Sequence, residues 1–160
     1  MQFFQTFVNG IISFRVLPRP QFATLQGALF PVYFSLQTAL PVFMALTYPG
    51  TRTTVGLQKW GVLGVLAPEN RFGVLLPLLT IFIPSLANLT LVDPATRRII
   101  QERKRRESRD GKKSYDSPPH SKEMIRLNKA FGRIHGASAL LNLVGFLGTL
   151  WYGVKIAEKL

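Results

Sequence analysis

The chain has no cysteine, which removes disulfides, thiolate-held zinc and thiol chemistry together and leaves the redox compartment open. Acidic residues are scarce, with eight Asp and Glu against twenty Lys and Arg and a net charge of +12. There are only two histidines, His120 and His135. With no carboxylate inside the apolar stretches, these two cannot build a metal site or a nucleophile–base–acid triad. Neither an enzyme nor a cofactor is therefore expected.

What the sequence does contain is long uncharged runs. At 160 residues one domain is the expectation, and 47% of the residues are apolar despite the large charge imbalance. The two tendencies are separated along the chain. No Asp, Glu, Lys or Arg occurs in Pro20 to Thr51 (32 residues), Phe72 to Val92 (21) or Ile134 to Val154 (21). A helix rises ~1.5 Å per residue, so ~20 apolar residues cross a hydrocarbon core ~30 Å thick. All three runs are long enough.

A fourth apolar segment, Met1 to Leu17, is short for a full span. It lacks the basic start of a signal peptide, since Arg15 follows the apolar run instead of preceding it. The expectation is an all-α, four-helix transmembrane bundle with helices near 2–17, 23–47, 72–92 and 134–156, the first truncated. Trp60 to Ala67 is too short to cross and reads as an interfacial or re-entrant piece.

The charge sets an orientation. Residues 93–133 carry thirteen Lys/Arg and, with Arg15 and Arg19, share one face; Arg52, Lys59, Arg71, Lys155 and Lys159 share the other. Fifteen against five places the 93–133 connection in the cytosol and both termini on the opposite side. Within this basic loop, Asp93-Pro94 reads as an N-cap with proline at the first helical position, and Gly111 as a stop. The helix between them would be polar all round, and Lys112 to Lys122 would be disordered. The run Arg103, Lys104, Arg105 and Arg106 is the candidate contact for anionic lipid headgroups or a partner. Nucleic acid is not expected as a partner of a chain with three spans.

Inside the spans the polarity is uncharged. His135, Ser138, Asn142, Gly145 and Thr149 recur at helical spacing along one face, beside Gly132 and Gly136. Gln5, Asn9 and Ser13 repeat every four residues in the first helix, and Asn88 and Ser85 stand in the third. The seam Gln5, Asn9, Asn88, His135, Ser138 and Asn142 serves either helix–helix hydrogen bonding or a polar path between helices. Pro31, Pro41, Pro77 and Pro84 interrupt the spans as static kinks or as hinges.

Several segments together carry a resemblance: Thr6-Phe7-Val8-Asn9-Gly10, Phe14-Arg15, Leu17-Pro18-Arg19 and Leu29-Phe30-Pro31-Val32-Tyr33-Phe34 in the first half. In the second half stand Asn88 six residues before Pro94-Ala95-Thr96, a charged helix ending at Gly111, Phe131, His135-Gly136-Ala137-Ser138 and Asn142-Leu143. In order and spacing these resemble the transmembrane protein 205-like family, also known as a domain of unknown function. The resemblance implies a small multi-pass protein, typically with four spans and no established enzymatic chemistry, associated with secretion, vesicle traffic or handling of toxic compounds. Members usually carry more residues ahead of the Thr-Phe-x-x-Gly segment, which agrees with a truncated first helix. The leading expectation is an accessory or adaptor protein of the endomembrane system or plasma membrane rather than the mitochondrion. Its partners would be the lipid bilayer and either a second copy or another membrane protein. The alternative is a small exporter or carrier of a solute.

Overall fold

The first two helices meet at a corner made by Pro18, which starts the second helix and fixes its entry angle. The computed structural model describes residues 2–53 and 56–158. Helix α1 (2–16) is π-helical over Phe4–Asn9 and α-helical over Gly10–Val16. At the corner the Arg19 guanidinium lies 3.7 Å from the Phe14 ring centre, and Phe22 closes on Phe14 edge to face. Helix α2 (Arg19–Leu46) follows, then a two-stranded antiparallel hairpin, β1 (Thr51–Thr53) with β2 (Gly56–Gln58). The 60–67 segment, expected to be interfacial, contains a short helix, α3 (Gly61–Val65).

Two long helices complete the fold, α4 (Pro68–Asp110) and α5 (Lys122–Ala157). With α2 they are the three helices long and apolar enough to cross a membrane, and α1 is shorter than such a span. Only 17% of the apolar window of α5 is buried within the protein, and Leu140, Leu147 and Val154 point outward. An apolar surface of that extent requires lipid. The chain is an all-α integral membrane protein, with the small hairpin holding the only strands among the described residues.

The basic connection differs most from expectation. The helix expected between Pro94 and Gly111 is present, but within the 93–133 connection it continues α4 unbroken from the apolar span through Asp93–Asp110, and α5 already begins at Lys122. Asp93 is no N-cap, because its backbone is already helical and its carboxylate pairs with Arg97 at 2.8 Å. A wide π turn over Asn88–Val92 carries the helix through Pro94. The carbonyl that Pro94 deprives of its usual donor, that of Thr90, sits inside this turn. Arg71–Leu75 precedes Pro77 in the same way. The prolines are therefore absorbed within continuous helices, and no span is broken into half-helices.

The segment expected to be disordered is tied down. Glu107 accepts from the Ser114 backbone N–H at 2.9 Å, Asn128 donates to the Ser114 carbonyl, and Met124 is buried. Gly111 ends α4 in the left-handed conformation, φ 63°, as its sequence position suggested. Ser121 caps α5 by accepting from the Met124 N–H. The result is a helical hairpin extending from one end of the bundle. Eighteen residues at Asp93–Asp110 give it a reach of roughly 27 Å.

At the far end, Tyr48, Val65, Val74 and Leu78 form a buried cluster backed by Met44, Tyr152 and Ile156. Gly61, at φ +61°, donates to the Tyr48 carbonyl, a conformation that excludes most side chains. A Cβ on Gly64 would collide with the Lys59 carbonyl and come within 2.8 Å of the Tyr48 ring. Along the membrane segment α4 packs chiefly on α5 and α2. The closest approach is at Gly148, where a Cβ would lie 2.5 Å from Thr80 Oγ1. Gly132 and Gly136, singled out as a small-residue pair, instead face open space and bring no helix close.

Candidate functional site

Asn88 is fully buried where α4 crosses α5. Its side-chain N–H donates to Asn142 Oδ1 at 3.0 Å and more weakly to the Ser138 carbonyl at 3.4 Å. The Asn88 side-chain oxygen is buried without a partner. Asn142 spends its oxygen on Asn88 and also lines a cleft.

That cleft, of about 90 Å³, opens at the hairpin end and is lined from four helices: Thr6, Phe30 and Phe34, Asp93 and Thr96, and His135, Ser138 and Asn142. Its volume suits a few waters or one small polar group. The Phe30 and Phe34 rings stack at 5.5 Å on one wall. His135 stands exposed at the mouth, its ring parallel to Phe131 at 6.0 Å. Arg103 also lies over the Phe131 ring, 4.7 Å from its centre.

The structure thus brings Asn88, His135, Ser138 and Asn142 together, but not Gln5 and Asn9. Asn9 donates to Gln5 and accepts from Ser13, so the polar stripe of α1 bonds along its own helix. The side-chain hydrogen bond from α1 to α2 comes instead from Thr6, paired with the Tyr33 hydroxyl at 2.7 Å. Thr6 was missed because it lies one position beside the stripe and breaks no pattern. Asp93 was missed because Asp-Pro resembles a helix start. Gln26 has both polar atoms of its side chain buried without a hydrogen-bond partner in the protein, an expensive state in an apolar surrounding.

Pro31 has a role that its sequence context did not reveal. It leaves the Gly27 carbonyl without its usual donor, and Arg97 fills the gap from α4 at 3.3 Å while holding Asp93. A break in α2 thereby becomes the docking point for α4.

The basic cluster divides into two pairs. Lys104 and Arg105 are exposed, whereas Arg103 and Arg106 turn toward α5. Arg106 bonds Asp110 at 2.9 Å, Glu123 at 3.2 Å and the Ser121 hydroxyl at 3.2 Å. The Ser121 hydroxyl donates to Asp110 at 2.6 Å, and this bond, with Arg106, holds the Asp110 carboxyl below its ordinary pKa. Burial acts to raise the Glu107 carboxyl, but Ser114, Lys113 and Arg103 outweigh it and bring it below the usual range. Burial also lowers the Arg103 guanidinium, against the attraction of Glu107. Among the described residues no group of three or more His, Cys, Asp or Glu could hold a metal ion.

A domain of unknown function, DUF4149, matches residues 1–105. The chain belongs to the DUF4149 family. The matched part of this DUF4149 protein runs from α1 into the basic half of α4 and includes Asn88 and Asp93, while His135, Ser138 and Asn142 lie beyond it. Xanthocillin biosynthesis cluster protein D of Aspergillus fumigatus is similar over almost the full chain. It is 25% identical over 159 residues, covering 99% of this chain and 81% of that protein. No solved structure matches.

Proposed function

We propose that this DUF4149 protein is a non-catalytic accessory or adaptor protein of the transmembrane protein 205-like kind, in the endomembrane system or plasma membrane. It crosses the membrane four times, and its basic hairpin is a cytosolic contact surface for anionic lipid headgroups or a membrane-protein partner. The observation that carries this is the exposed face of α4 beyond the bilayer. Arg98, Lys104, Arg105 and Arg109 project from a helix whose opposite side is locked to α5 by Arg106 and Arg103, so the charges are held on a preformed support. Each basic residue near an anionic surface contributes ~1 kcal/mol. The positive-inside asymmetry supports the cytosolic placement.

In neutral-lipid nanodiscs the protein should bind phosphatidylserine vesicles, and Lys104→Glu with Arg105→Glu should weaken that binding at least tenfold. Unchanged binding would refute the surface. A second reading, a small carrier for a polar solute, is favoured by the cleft and by the orphaned Asn88 oxygen and Gln26 amide. The fungal relative's name, which places it in a biosynthesis cluster, suits either an accessory or an export role. Solute flux in proteoliposomes that disappears in His135→Ala and Asn142→Ala would replace the first reading with the second.

A further inference from the structure

The exposed basic face of α4 contains one hydroxyl, that of Ser108, and the residues around it form an acceptor sequence. Arg105-Arg106-Glu107-Ser108 places arginine three and two positions before a serine, with Arg103 and Lys104 further upstream. Ser/Thr kinases of the Arg-directed class read those positions with acidic pockets. Ser108 is exposed, and its hydroxyl only bonds back to the Lys104 carbonyl at 3.2 Å. It lies one helical turn from Lys104 and Arg105 and adjacent to Arg109. We propose that Ser108 is a phosphorylation site for an Arg-directed kinase, and that phosphate there switches off the basic contact face.

The chemistry is a simple transfer: the Ser108 oxygen takes the γ-phosphoryl group of ATP, its proton leaves to the kinase base, and ADP departs. Access follows from position. Ser108 is three residues before the Gly111 stop, in the last turn of α4, where helices open most readily. Arg105 is already free, and Arg106 becomes available when that turn opens and its bonds to Asp110, Ser121 and Glu123 release. The product carries a charge of about −1.5 to −2 amid Lys104, Arg105 and Arg109, which cancels most of the local positive field. A phosphate near a helix C-terminus is also opposed by the helix dipole, which disfavours closing the last turn again.

The consequence for binding rests on the proposed lipid-contact function, so the experiment separates the two. Full-length protein in neutral-lipid nanodiscs is treated with ATP and the catalytic subunit of cyclic-AMP-dependent kinase. The phosphosite is mapped, and binding to phosphatidylserine vesicles is measured before and after. Incorporation at Ser108, abolished by Ser108→Ala, and a loss of binding on the order of tenfold are expected. Ser108→Asp should show part of that loss without kinase. Absence of Ser108 labelling in the folded protein, or labelling that persists in Ser108→Ala at the same level, overturns the site. Labelling at Ser108 with unchanged vesicle binding overturns the switch. Failure of the untreated protein to bind vesicles refutes the contact surface instead, and the mapping still decides the phosphosite.

Discussion

The two ends of the bundle are held by different physics. At the far end, Tyr48, Val65, Val74 and Leu78 interlock around glycines that leave no room for a methyl group. At the hairpin end, charged hydrogen bonds and one cation–π contact hold α4 to α5, and a cleft stays open between the helices. Close packing gives one arrangement and tolerates little change, whereas ion pairs at a wet surface contribute little each and yield to solvent. The first end fixes the fold. The second keeps its chemistry accessible.

Substitutions at the packed glycines should separate the ends most sharply. Gly148→Leu must push α5 away from Thr80 and Ile81, and should cost about 3 kcal/mol, seen as a large loss of thermal stability in detergent. Gly136→Leu, whose Cβ meets nothing, should leave that transition nearly unchanged. An equal loss in both would mean that α5 packs in another rotation.

The Asn88–Asn142 pair comes next. Asn142→Ala leaves a fully buried amide without its partner and should cost about 1 to 2 kcal/mol. A double-mutant cycle with Asn88→Ala should give a coupling between ~0.6 and ~1.7 kcal/mol. Additive effects would show that the two side chains do not meet.

Acid should loosen only the hairpin end. Asp110 and Glu107 have depressed pKa values in the folded protein, so their contribution is complete above the ordinary carboxylate range and is lost as pH falls through the depressed values. Hydrogen-exchange protection factors of residues 111–121 should therefore fall below about pH 4, while α3 and the start of α4 remain protected. The smallest effect belongs to the exposed cations. Lys104→Gln with Arg105→Gln should change stability by less than about 0.5 kcal/mol, in contrast to Arg106→Ala, which removes three partners.

The membrane spans were legible because length and charge exclusion suffice to define them, and the 3.6-residue period put Ser138, Asn142 and Gly145 on the correct face of α5. The helix ending at Gly111 was legible, but its continuity with the preceding span and the order of the turn after it were not, since Asp-Pro and the Ser-Pro-rich 114–121 stretch carry local signals for a cap and a loop. A π turn absorbed the first signal, and the bonds from Glu107 and Asn128 overrode the second. The division of the basic run also escaped local inspection. It depends on which residues of α4 face α5, and that register is set by tertiary packing. Gln5 and Asn9 illustrate the converse, as their spacing of four allowed them to bond along α1 instead of across it.

The most direct measurement is limited trypsin digestion of sealed vesicles, cytosolic face out, carrying a tag at each end of the chain. The account predicts cleavage first at Lys112, Lys113 and Lys122 in the hairpin turn, with both tags protected. Protection of that turn, or exposure of either tag before the membrane is opened, would contradict it.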